Sequence, residues 1–245
     1  MSGPGRALLE LRDVSAGYGP FRAIFNVSFS VPERGVVALL GANGAGKSTI
    51  ARAIAGLVPI QAGSLLFDGK DITGVKAWKI TRLGIVHAPE GRSVFGSLTV
   101  EENLTLDFAR ALGRKRVAQG LDRAYELFPR LGERRSQSAG TLSGGEQRML
   151  SLARVLVNPP RLLVVDELSL GLAPVIIDEL YANLRRVNEA GTTLLIVEQY
   201  VARALSLAET VVVLQHGEVM YDGPAADLGD SSEQLLATHS HFEAN

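Results

Sequence analysis

The sequence predicts an α/β fold with an antiparallel β portion at its N-terminal end and an all-helical insertion in the middle. Three observations predict it. Short apolar runs (GVVALL at 35–40, RLLVVDE at 161–167, TTLLIVE at 192–198 and TVVVLQHG at 210–217) alternate with helical stretches, as buried strands of a mostly parallel sheet do. From Thr99 to about Arg135, charges are interleaved through ENLTLDFARAL and LDRAYELF, and no strand candidate occurs there. The segment from Ala7 to Val31 breaks into short alternating runs, LLELRDV and NVSFSV, around a Gly-Tyr-Gly-Pro turn.

The elements follow in order. GVVALL ends in a Gly-rich turn, and STIARAIAGL continues as a helix. GSLLFDGKDIT at 63–73 has a hairpin pattern with Asp-Gly at its turn. GIVHAP at 84–89 is a further strand. A helix is expected from Ser143 or Gly144 to Asn158, where Pro159 and Pro160 stop it. EVMYDG pairs with VVVLQHG as a hairpin, and a short helix is expected around Ser231 to His239. No internal repeat or low-complexity tail is present. One domain is expected over 7–245, with the helical subdomain at about 92–158 inserted in its core.

Composition narrows the function. The 245 residues are 46% hydrophobic and 21% charged, an ordinary globular balance. A net charge of −1 gives no basic field for nucleic acid, so no nucleic-acid partner is expected. No cysteine occurs, which excludes disulfides and thiolate metal sites. The longest apolar runs fall far short of the roughly 20 residues of a membrane helix, and MSGPGRALLE lacks the pattern of a signal peptide. Any membrane role is therefore expected to come through a partner.

GANGAGKST at 41–49 fits G-x-x-x-x-G-K-[ST] between a strand and a helix, the context a P-loop requires. Gly41, Ala42, Asn43, Gly44, Ala45 and Gly46 can turn backbone N–H groups around phosphate oxygens at a helix N-terminus. Lys47 supplies a point charge for the β and γ phosphates and Ser48 a hydroxyl for Mg²⁺, with Thr49, the next residue, also expected in the nucleotide-binding set. ATP and Mg²⁺ are the expected cofactors. RLLVVDE ends on two acids: Asp166 suits the metal shell, and Glu167 can polarise an attacking water. TTLLIVEQY likewise ends on Glu198 and Gln199. Gln199 is expected either beside the γ-phosphate, as an amide that cannot titrate, or as a polar start to the next helix.

TLSGGEQRML at 141–150 carries LSGGEQ, and with it the chain resembles the ATP-binding-cassette family along nearly its whole length. The resemblance implies a P-loop NTPase (RecA-like) core sheet with the two subdomains described above. It also implies that Ser143, Gly144, Gly145 and Glu146 serve the γ-phosphate of ATP held by an opposite subunit. The same residues suit a capping box, and both roles can hold together. By the same resemblance Tyr18 matches the aromatic that stacks on adenine. Glu90, in HAPEGR, stands where the family has a nucleotide-sensing Gln that also reaches the metal. Gln199 stands at the switch histidine, and SLGLAP at 169–174 matches a loop that crosses the dimer interface.

Glu90, Gln199 and Ala173, taken with RLGIVHAPEGRSVFGSLTVEENL and VEQY, resemble one branch of that family: the shorter ATPase of branched-chain amino acid importers and of related urea or amide systems. Leu168 departs from the branch, which usually has Pro there. The expected partners are a second cassette, in a hetero- or homodimer, two integral-membrane permeases and, indirectly, a periplasmic or extracellular solute-binding protein. The expected place is peripheral, on the cytoplasmic face of the inner membrane. A soluble cassette acting away from transport is the alternative, although no coiled-coil insertion or basic arm supports it.

Overall fold

A computed structural model describes residues 6–88, 94–167, 169 and 172–228. The expectations for Glu90, Leu168 and the helix around 231–239 lie outside these residues. In chain order the elements are β1 (Ala7–Tyr18), β2 (Phe21–Pro32), β3 (Val36–Leu40), α1 (Lys47–Ile54), β4 (Ile60–Phe67), β5 (Lys70–Asp71), α2 (Ala77–Arg82) and β6 (Ile85–Ala88). The helical region follows as α3 (Val100–Ala111), α4 (Val117–Leu127), α5 (Pro129–Glu133) and α6 (Gly144–Leu156). The chain then runs through β7 (Leu162–Asp166), α7 (Pro174–Glu189), β8 (Thr193–Glu198), α8 (Val201–Leu205), β9 (Thr210–Gln215) and β10 (Glu218–Pro224). These form two compact units.

The first unit holds both sheets. One is antiparallel, in the order β2-β1-β4-β5; the other runs β10-β9-β3-β8-β7-β6. In the second, β3 lies parallel to β8 and β9, β7 lies parallel to β8, and β10 closes one edge as an antiparallel hairpin with β9. Every residue of β3, β7 and β8 is buried, which is why these strands read as unbroken apolar runs. β2 alternates from Val27 to Val31, with Ser28 and Ser30 facing outward. The Asp68–Gly69 turn has φ of 54° and 72°, a left-handed pair suited to the tight β4–β5 hairpin. Ile50, Ala51, Ala53 and Ile54 of α1 are buried in a core shared with Leu9, Ile24, Leu39, Val164 and Val197.

The register fixes the site. Leu40 lies opposite Glu198 on one side and Val213 on the other, and Asp166 lies opposite Val197. Gly41, Glu167 and Gln199 therefore leave the sheet from one carboxyl edge, where parallel sheets bind ligands.

The second unit comprises Ala88–Pro160 and Leu168–Thr192, so it contains α7 as well as the four helices of the insertion. Phe108, Phe128, Leu104, Leu131 and Leu150 are fully buried. A Cβ on Gly120 would come within 2.8 Å of Phe108 Cδ2, so α4 has no room there for a larger residue. Thr99 caps α3 in a capping box with Glu102. Asn103, fully buried, accepts from the Phe95 N–H at 2.8 Å and donates to the Phe95 and Thr99 carbonyls at 3.0 and 2.9 Å. Asn103→Leu is expected to leave the Phe95 N–H unsatisfied, while the Phe95 and Thr99 carbonyls keep the backbone N–H groups of Leu98 and residue 103, at a cost of about 2 kcal/mol. Thermal unfolding should show a midpoint several degrees lower.

Candidate active site

The P-loop is shaped by backbone geometry. Gly46 caps α1 with φ 104°, and a Cβ there would lie 2.6 Å from Ile24 Cγ2 and 2.9 Å from the Ala23 carbonyl oxygen. A Cβ on Gly41 would collide with the Leu214 carbonyl oxygen. Glycine is thus required at both ends of the turn. Ala42, Asn43 and Gly44 remain exposed, as a loop that admits an anion must be, whereas Ala45 and Thr49 are buried.

Lys47 is buried at 4% exposure, and its ammonium donates to the carbonyls of Gly41 at 2.9 Å and Ala42 at 3.0 Å. Its Nζ also lies 3.7 Å from Glu167 Oε1. Burial lowers the Lys47 pKa below its ordinary value, and the charges of Glu167, Asp166 and Glu198 oppose that shift. Among the described residues this buried cation is held on two carbonyls and one long ion pair, partners it can exchange for phosphate.

Ser48 donates from Oγ to Asp166 Oδ1 at 3.2 Å. Asp166 is 1% exposed, and its Oδ2 has no hydrogen-bond partner among the described residues. An orphaned carboxylate oxygen beside a hydroxyl is the donor chemistry of a hard cation, and Mg²⁺ is commonly held by one carboxylate with substrate phosphates. The residues present fit that ion. His87 of β6 puts its buried Nε2, also without a hydrogen bond, 3.7 Å from the same Oδ2.

Glu167 adopts φ 47°, a left-handed conformation uncommon outside glycine, and its N–H donates to the Val197 carbonyl at 2.9 Å. That backbone cost of about 1–3 kcal/mol is what one expects where a side chain must be aimed. Glu198 is buried, and its Oε2 accepts from the Gln199 N–H at 3.3 Å. The Gln199 side chain is exposed at the same edge. Tyr18 is half-exposed, with its hydroxyl accepting from Arg52 Nη1 at 3.0 Å.

The second unit presents LSGGEQ at the start of α6. Ser143 is the exposed N-cap: its Oγ accepts from Glu146 N at 3.3 Å, and Glu146 Oε2 accepts from Ser143 N at 2.9 Å. Glu146 is further paired with Arg134 Nε at 2.8 Å, so its charge is spent locally on fixing the helix start. A Cβ on Gly145 would come within 2.9 Å of Ile176 Cγ2, which sets the close approach of α6 and α7.

A family model described as ABC transporter matches residues 24–169, a segment running from β2 through the P-loop, LSGGEQ and the Asp166–Glu167 strand end. The chain belongs to the ABC transporter family. ATP binding and ATP hydrolysis are the activities of this domain. Among curated relatives, the cassette is 42% identical over 220 residues to the high-affinity branched-chain amino acid transport ATP-binding protein BraG of Pseudomonas aeruginosa. That match covers 89% of this chain and 94% of BraG. It is 34% identical to a probable branched-chain amino acid transport ATP-binding protein LivF of Archaeoglobus fulgidus, covering 90% of this chain and 94% of LivF. Identity to the BraF protein of the same Pseudomonas is 29%, over 95% of this chain and 97% of BraF. A solved ATP-binding subunit of an ABC transporter superposes with a TM-score of 0.80 at 29% identity, covering 92% of this cassette and 93% of that chain.

The P-loop, Ser48, Asp166 and Glu167 were legible in the sequence and meet in one place. His87 was not singled out, because a single histidine in the strand GIVHAP has no spacing that betrays a partner. Glu198 was read only as a strand end, and its burial follows from the register against Leu40.

Proposed function

We propose that this cassette is the ATP-hydrolysing subunit of an importer for branched-chain amino acids. Its similarity to BraG, at 42%, well above the 29% to BraF, carries the placement within the family. The same contrast supports a heterodimer in which a BraF-like cassette is the partner. In the proposed cycle, ATP phosphates take Lys47 from the Gly41 and Ala42 carbonyls, and Glu167 is released to polarise water. Ser48 and Asp166 would hold Mg²⁺, which would neutralise phosphate charge when bound. Tyr18 stacks on adenine, and Gln199 orients the γ-phosphate as a hydrogen-bonding amide. Glu90 links the nucleotide to the permeases. Ser143, Gly144 and Gly145 complete the site of the opposite cassette, with Glu146 holding their helix start.

Among the described residues no helix is long and apolar enough to cross a membrane. The proposed place is therefore peripheral, against two permeases on the cytoplasmic face, with a solute-binding protein acting on the far side. The test is ATP turnover in proteoliposomes holding the cassette, its second cassette, the permeases and the binding protein. Leucine, isoleucine or valine is expected to stimulate turnover several-fold. Stimulation by urea or short amides alone would move the solute to the related branch, and co-purification with nucleic acid alone would overturn the transport role.

A further inference from the structure

We propose that His87 is a positioning residue for Asp166: it donates a hydrogen bond from Nε2 to the aspartate's free Oδ2 and so holds Oδ1 toward Ser48. The inference rests on the metal role proposed for Asp166. The two side chains are 5% and 1% exposed, their facing atoms are 3.7 Å apart, and neither atom has a hydrogen bond among the described residues. β6 and β7 are neighbours in the sheet, so the contact is a cross-strand pair between adjacent strands.

A neutral imidazole carries its proton on one nitrogen only, and two lone pairs facing each other inside the protein would repel. The tautomer protonated at Nε2 removes that repulsion and satisfies both orphaned atoms together. The separation exceeds a hydrogen bond by less than an ångström, which a small rotation about either side chain closes. The strand is otherwise apolar in Ile85, Val86 and Ala88, so the imidazole is the one polar side chain that β6 brings near Asp166. Partners of this kind, one step removed from a metal, set the orientation of the carboxylate that binds it.

The test compares binding of adenylyl imidodiphosphate by calorimetry with Mg²⁺ and with EDTA, for the full-length wild-type chain and three variants. His87→Leu is expected to reduce the tightening that Mg²⁺ produces by on the order of tenfold, with affinity in EDTA unchanged. His87→Gln, whose amide N–H reaches toward the same place, is expected to restore most of the tightening. Asp166→Asn should abolish it. A wild-type Mg²⁺ effect in His87→Leu, or His87→Gln no better than His87→Leu, overturns the positioning role while Asp166→Asn still shows its loss. If Asp166→Asn also keeps the full Mg²⁺ effect, the metal assignment fails first and the proposal falls with it.

Discussion

Glu167→Gln is expected to stop ATP turnover while ATP binding persists. Glutamine keeps the size and can keep the backbone geometry, including the Glu167 N–H to the Val197 carbonyl, but its amide cannot draw a proton from water. Loss of a general base costs on the order of 10²- to 10⁴-fold in rate, so phosphate release should fall near background. Equilibrium binding of ATP should stay within a few-fold of wild type, because the P-loop donors are untouched. The same substitution removes the negative partner 3.7 Å from Lys47 and frees that ammonium for phosphate, so the variant is expected to hold ATP at least as tightly. A variant that turns over ATP at the wild-type rate would remove Glu167 from the mechanism.

Lys47→Met is the second large effect, and it acts on binding. Lys47 is 4% exposed, and among the described residues its ammonium meets carbonyls of its own loop and, at long range, Glu167. Charge-assisted hydrogen bonds contribute about 1.5–3 kcal/mol, so ATP affinity should weaken roughly 10- to 100-fold in a fluorescent-nucleotide titration. Helix content should persist, because α1 is anchored by Ile50, Ala51, Ala53 and Ile54. The wild-type chain has a matching pH dependence. Burial lowers the Lys47 pKa without nucleotide, and phosphate would raise it again. Binding then takes up protons at alkaline pH, and ATP affinity should fall as pH rises through the lowered Lys47 pKa.

Much of this site was legible because its residues are consecutive in sequence. A strand, a Gly-rich turn and Lys47-Ser48 announce phosphate binding in one unbroken stretch, and Asp166-Glu167 close an apolar run. The sheet order was not legible, since parallel neighbours such as β3 and β8 are more than a hundred residues apart and only their burial marks them. α2 was not anticipated: Ile80 is its one buried residue, so no apolar stripe repeats at helical spacing. His87 shows the limit most clearly. Its meaning lies in a contact with Asp166 across neighbouring strands, and the intervening chain says nothing of it.

The capping box at Ser143–Glu146 gives LSGGEQ its structural role. The box binds Glu146 inward to Ser143 N and Arg134 and leaves Ser143 exposed at the helix start. A motif that stabilises its own helix in this way can also present its donors to an anion. That presentation is useful only if a second cassette brings the anion, which is the central claim here.

The most direct measurement is the rate of phosphate release per chain as the concentration of cassettes is raised, with this chain alone and mixed with its second cassette. If each site is completed by the signature of another cassette, the rate per chain should rise with concentration and saturate. It should collapse when Glu167→Gln replaces the wild-type chain. A constant rate per chain at every concentration, unaffected by Ser143→Arg, would contradict a shared site.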